Sequence, residues 1–90
     1  YIYRFRRFMK YEVKFSTQAT KYFRSLSKDV QERIKRKFHE ISDDPSRYLE
    51  HYEGRGSKIR IGDFRAIVDL DNQRKIIFIR VFDKRSRIYK

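Results

Sequence analysis

The chain has 90 residues, with 24 Lys and Arg against 12 Asp and Glu for a net charge of +12, and it contains no cysteine. That length holds one domain with a single small core, burying about 60–65% of its unfolded surface. Disulfides and thiolate metal sites are excluded, no apolar run approaches the ~20 residues of a membrane span, and the charge balance makes nucleic acid the leading partner class, ahead of a membrane surface or an acidic protein.

Residues 1–8, YIYRFRRF, are basic and aromatic and precede Met9, the sole methionine. They are expected to be an upstream extension or a vector-derived segment, with residues 9–90 forming the domain; the alternative is a basic arm that grips nucleic acid. Tyr11–Phe15 alternates, with Tyr11, Val13 and Phe15 on one face, and predicts a first strand. Ser16 then caps a helix carrying Ala19, Phe23 and Leu26 at helical spacing. Ser27 caps a second, with Asp29 in its first turn and Val30, Ile34, Phe38 and Ile41 as the apolar stripe. Arg33, Lys35, Arg36 and Lys37 fall outside that stripe and form a solvated face. Asp43-Asp44-Pro45 ends the helix, and with almost no linker the pair forms an αα-hairpin.

Residues 46–57 read as irregular, with a helical turn near Arg47–Glu50 and with Gly54 and Gly56 as punctuation. Tyr22, Tyr48 and Tyr52 are expected to be half-buried packing residues, His39 a surface residue and His51 a loop residue; two histidines without a further strong ligand give no zinc site.

Lys58–Leu70, KIRIGDFRAIVDL, predicts a β-hairpin. Gly62-Asp63 fits a two-residue loop with glycine first, the type II′ signal. Ile61 then faces Phe64 and Ile59 faces Ala66 on one face, while Arg60 directly faces Arg65 on the other, with Lys58 two residues along. Like charges in opposed positions destabilise a strand pair, by roughly 0.2–1 kcal/mol. A bound polyanion, nearby carboxylates or hydration would each compensate. Lys75–Phe82, KIIFIRVF, is a near-continuous apolar run and predicts a strand in the middle of the sheet, buried on both faces. Arg80 within it either pairs with a carboxylate such as Asp69 or Asp71 or points into the active face. Asp83–Arg87 is expected to be a turn, and Ile88–Lys90 a last short strand.

The order is β-α-α-β-β-β: an α+β domain in two layers, with an N-terminal helical hairpin packed on a mostly antiparallel sheet. The first strand, separated by the helices, pairs across the sheet with a later one. The exposed sheet face collects Lys58, Arg60 and Arg65, and the ending DKRSRIYK brings Lys84, Arg85, Arg87, Tyr89 and Lys90. RNA scission by 2′-hydroxyl attack needs a base, cations around the phosphorane and an acid for the leaving 5′ oxygen. Arginine supplies only the cation, whereas lysine or tyrosine can exchange a proton. Lys58, Arg60, Arg65, Arg85 and Tyr89 therefore form a histidine-free ribonuclease set, although basic sheet faces also bind RNA without cutting it.

The two-helix hairpin, the K-I-R-I-G-D-F-R-A-I-V hairpin, the strand IIFIRVF and the K-R-x-R-x-Y ending, in this order from Met9 to Lys90, resemble the RelE/ParE superfamily of type II toxins, closest to the RelE branch. The resemblance implies a small basic, cytoplasmic ribonuclease without cofactor or metal that cleaves mRNA in the ribosomal A site. It also implies a RelB-like antitoxin whose acidic segment wraps around the toxin, and DNA binding only through that complex. Carried over by position, Lys58 and Arg60 match paired basic residues of the family's second strand. Arg65 matches the arginine after the turn, Arg85 the one after the last long strand, and Tyr89 the C-terminal tyrosine; Lys84 matches an adjacent basic position. The position of Arg60 is often a lysine proposed as general base, so here proton abstraction falls to Lys58, Tyr89 or a ribosomal group. Absence of a catalytic His or Glu suits an enzyme whose substrate the ribosome orients. Two other readings share the sequence: a ParE-like inhibitor of DNA gyrase, and a non-catalytic RNA-binding module.

Overall fold

Alternation decides the first layer. In the computed structural model, which describes residues 3–5, 10–51 and 56–84, strand β2 (Glu12–Phe15) turns Val13 and Phe15 fully into the core. An edge strand β1 (Tyr3–Phe5), within the segment expected to be an extension, pairs antiparallel with β2. Ser16 then leaves the strand in extended conformation and accepts the Ala19 N–H at 3.1 Å, capping α1 (Thr17–Ser25). Ser27 caps α2 (Lys28–Asp43) in the same way, and the Gln31 carboxamide donates to the Leu26 carbonyl at 2.9 Å, satisfying an acceptor between the two helices. Pro45 opens a single-turn helix α3 (Pro45–Tyr48) at the position where its missing N–H costs nothing.

The remaining strands are β3 (Glu50–His51), β4 (Ser57–Ile61), β5 (Phe64–Asp71) and β6 (Ile76–Lys84). The sheet order is β1-β2-β6-β5-β4-β3, and among the described strands only β2–β6 is parallel. The first helix-flanking strand thus pairs beside the last one across the helical crossover, as expected, and β6 lies inside the sheet. Both long helices pack on one face. Phe23 of α1 and Ile34, Phe38 and Ile41 of α2 meet Phe15, Ile59, Ala66, Val68, Ile77, Ile79 and Phe82 there. Phe15 sits at the centre, edge-on to Phe23, Phe38 and Phe82 with ring centroids 5.2, 5.8 and 6.3 Å away.

Several sequence expectations need correction. β6 is not buried on both faces: Ile77, Ile79 and Phe82 are buried, whereas Ile76, Phe78, Arg80 and Val81 are half-buried. The helices cover one side only. Asp83 and Lys84 continue the strand instead of starting a turn, because β5 extends back to Phe64 and offers them partners. Lys75 belongs to the preceding turn, with φ at 58°. That turn is fixed by Asp71, whose Oδ1 accepts the N–H groups of Gln73 and Arg74 at 3.1 and 3.0 Å. Glu50–His51 pairs with β4, Glu50 opposite Lys58, where the end of a helical turn and a loop residue were expected; the helical turn itself sits earlier, at Pro45–Tyr48. Tyr22 and Tyr48 are half-buried and His39 exposed, as read from the sequence; Tyr52 and the expected strand Ile88–Lys90 lie outside the described residues.

Candidate active site

The hairpin forms with the expected register. Ile61 opposes Phe64, Arg60 opposes Arg65 and Ile59 opposes Ala66. Gly62 takes φ of 56° while Asp63 is not left-handed, which is the type II′ pattern. With Ile59 and Ile61 turned to the helices, the period-2 pleat places Lys58, Arg60 and Arg65 on the opposite, open face.

The three cations differ in setting. Arg60 is exposed, Lys58 half-buried, and Arg65 only 6% exposed. Arg65 stands in the middle of a transverse row, with Arg60 on one flank and Asp83 on the other. A carboxylate directly opposite one arginine of a like-charged pair is one of the compensations the sequence left open, and long cations are rarely buried without a partner. Lys58 is likewise opposed by Glu50 and, on its other side, by Ile67. Arg80 resolves in favour of a carboxylate: its Nε lies 2.9 Å from Asp69 Oδ2. The open face therefore interleaves carboxylates with its arginines rather than presenting cations alone.

Lys84 is not brought into this row. It opposes Phe64 and so falls on the helix side of the sheet's end, where it is exposed. Arg85, Arg87, Tyr89 and Lys90 lie outside the described residues. Among the described residues no three His, Asp or Glu side chains gather into a metal-binding group, and no helix is long and apolar enough to cross a membrane. The sequence reading missed Asp83 and Glu50; opposite charge on the neighbouring strand is the signal for them, and it becomes visible once the register is known.

Chemically, Arg60 and Arg65 are two fixed positive charges in directly opposed positions, and neither can accept a proton. Lys58 is the described residue of the set that could exchange one.

Comparison with known proteins places these features. A chain of the archaeal RelE–RelB complex from Pyrococcus horikoshii OT3 matches at TM-score 0.70 and 28% identity, over 88% of this chain and 99% of that one. The RelBE2 toxin–antitoxin complex from Mycobacterium tuberculosis matches at TM-score 0.69 and 23% identity, over 81% and 95%. The intact RelBE toxin–antitoxin complex of E. coli matches at 0.65 and 22%, over 80% and 93%. The last two likenesses establish the fold. No curated protein sequence gives a match. The sequence model of the family described as the ParE toxin of the type II toxin–antitoxin system parDE matches residues 13–89. With that match running from Val13 in β2 through both long helices and the later strands to Tyr89, the chain belongs to the ParE toxin family of type II toxin–antitoxin systems, within the RelE/ParE superfamily.

Proposed function

We propose that this toxin is a ribosome-dependent endoribonuclease of the RelE kind, cutting mRNA in the ribosomal A site and so arresting translation. The observation that carries the reading is the facing pair Arg60 and Arg65 on the open side of the sheet, with Lys58 beside them. In the scission step the 2′ hydroxyl loses its proton to a base and its oxygen attacks phosphorus, the P–O5′ bond breaks as the leaving 5′ oxygen takes up a proton, and the charge that builds on the phosphorane is met by guanidinium groups already in place. Arg85 and Tyr89 complete the set by resemblance, the tyrosine as proton donor or stacking platform for a base; Arg87 and Lys90 hold the RNA backbone, a role that Lys84, on the helix side, does not share. A RelB-like antitoxin with an acidic segment is the partner, consistent with a chain at +12 and with the RelE–RelB complexes that match its fold. Purified protein added to ribosomes translating a defined mRNA should give A-site cuts, and Arg65→Ala should abolish them.

The match to the ParE family favours a second reading, inhibition of DNA gyrase by protein contact. A supercoiling assay separates the two. Gyrase inhibition without RNA cleavage would overturn the first.

A further inference from the structure

We infer that Asp83 is the positioning residue for Arg65, holding its guanidinium so that one edge is presented to the scissile phosphate. The inference rests on the nuclease reading of this face and adds a residue to it. Asp83 opposes Arg65 directly in the β5–β6 pair, and side chains so placed start from Cβ atoms about 4.5–5.5 Å apart on one face. The Asp83 carboxylate is itself anchored, because its Oδ1 accepts the Lys84 N–H at 2.7 Å. Arg65 is 6% exposed, so its side chain has little room for alternative rotamers. On its other flank stands Arg60, which repels it.

A guanidinium is a planar fork with donors on more than one edge, able to serve two acceptors at once. With a fixed carboxylate on the Asp83 side and a cation on the Arg60 side, the edge left for a ligand points between the two arginines, where a phosphate would be shared by both. The same face uses this device again at Arg80 and Asp69, 2.9 Å apart. Asp83 never touches RNA in this scheme. It sets the direction of the group that does, and its charge lets Arg60 and Arg65 stand side by side before substrate arrives.

The test is Asp83→Asn, which keeps the shape and removes the charge, with Asp83→Glu as the conservative control. In single-turnover cleavage on programmed ribosomes, Asp83→Asn should slow the cutting step by about tenfold or more while leaving ribosome affinity nearly unchanged; Asp83→Glu should recover much of the rate. In parallel, NMR of the arginine guanidinium groups should show that the Arg65 Nη protons exchange with solvent faster in Asp83→Asn than in the parent or in Asp83→Glu. Unchanged exchange of the Arg65 Nη protons in Asp83→Asn overturns the proposal whatever the cleavage result, and so does parent-like cleavage by that variant. If Arg65→Ala cuts as well as the parent, it is the nuclease reading of the site that fails, separately from the exchange result.

Discussion

Arg80 and Asp69 are joined at 2.9 Å between Nε and Oδ2, at the point where the β5–β6 register slips. Val81 opposes Ile67 and Ile79 opposes Val68, so Arg80 is the extra residue of a β-bulge. The bulge also ties the strand to the helical layer, since the Ser16 hydroxyl donates to the Arg80 carbonyl at 2.6 Å. Gly56 presses against this knot with φ of 85°; a Cβ there would fall 2.5 Å from the Val68 carbonyl oxygen and 2.8 Å from Asp69 Oδ1.

Gly56→Ala should therefore be costlier than breaking the ion pair itself. A left-handed residue with a new methyl against backbone should lose about 2 kcal/mol or more. Asp69→Ala should lose about 1 kcal/mol or less, because the pair is 33% and 49% exposed and screened by solvent. Urea midpoints of the two variants check the order, and only the Asp69 effect should shrink in high salt.

A second prediction concerns the gap left where β2 ends before β6 does. The Gln18 carboxamide fills it: its Nε2 donates to the Phe82 carbonyl at 3.1 Å and its Oε1 accepts the Phe82 N–H at 3.0 Å. A side chain on α1 thus stands in for a strand. Gln18→Ala should destabilise by about 1 kcal/mol, and the Phe82 amide should exchange its hydrogen measurably faster. An unchanged Phe82 exchange rate would show that this pairing does not hold in solution.

What could be read from the sequence follows from how local each signal is. The hairpin register was legible because Gly62-Asp63 fixes the loop length and each strand then follows by counting. The helix starts were legible because Ser16 and Ser27 carry their own capping chemistry. The bulge at Arg80 was not, since IIFIRVF is apolar on both parities and hides a change of face. The strand β3 escaped because two residues carry no period. The burial of Arg65 contradicts its residue type, and the residue opposite it, Asp83, joins β6 only because β5 reaches back to Phe64. On the open face, the placement of the hairpin cations followed from pattern alone, while the carboxylates that interleave with them needed the strand order.

The aromatic centre gives a third prediction. Phe15 has no exposed surface and meets three rings edge-on from α1, α2 and β6. Phe15→Ala should cost about 3–5 kcal/mol, a large share of the total stability of so small a domain. Phe15→Leu should cost far less, because volume is largely kept. Calorimetric melting of the two variants should separate them by many degrees. Similar losses for both would mean that the helical layer is not organised around this ring.

Arg60 gives the fourth, and it sets function against stability at one position. Arg60 is exposed, faces Arg65 directly and lies in the strand that carries the turn. Replacing it with threonine removes a like-charge opposition and inserts a good strand former, so Arg60→Thr should gain roughly 0.2–1 kcal/mol. On the proposed nuclease reading, cleavage on the ribosome should fall at the same time, because one of the two cations assigned to the phosphorane is gone. Residues kept at a cost to the fold concentrate where activity needs them. Denaturant titration and A-site cleavage, run on the same preparation, decide it. A variant that is both more stable and fully active would show that the facing arginines serve the surface alone, whereas a gain in stability with a loss of cutting ties the repulsion in the free toxin to the phosphate that relieves it.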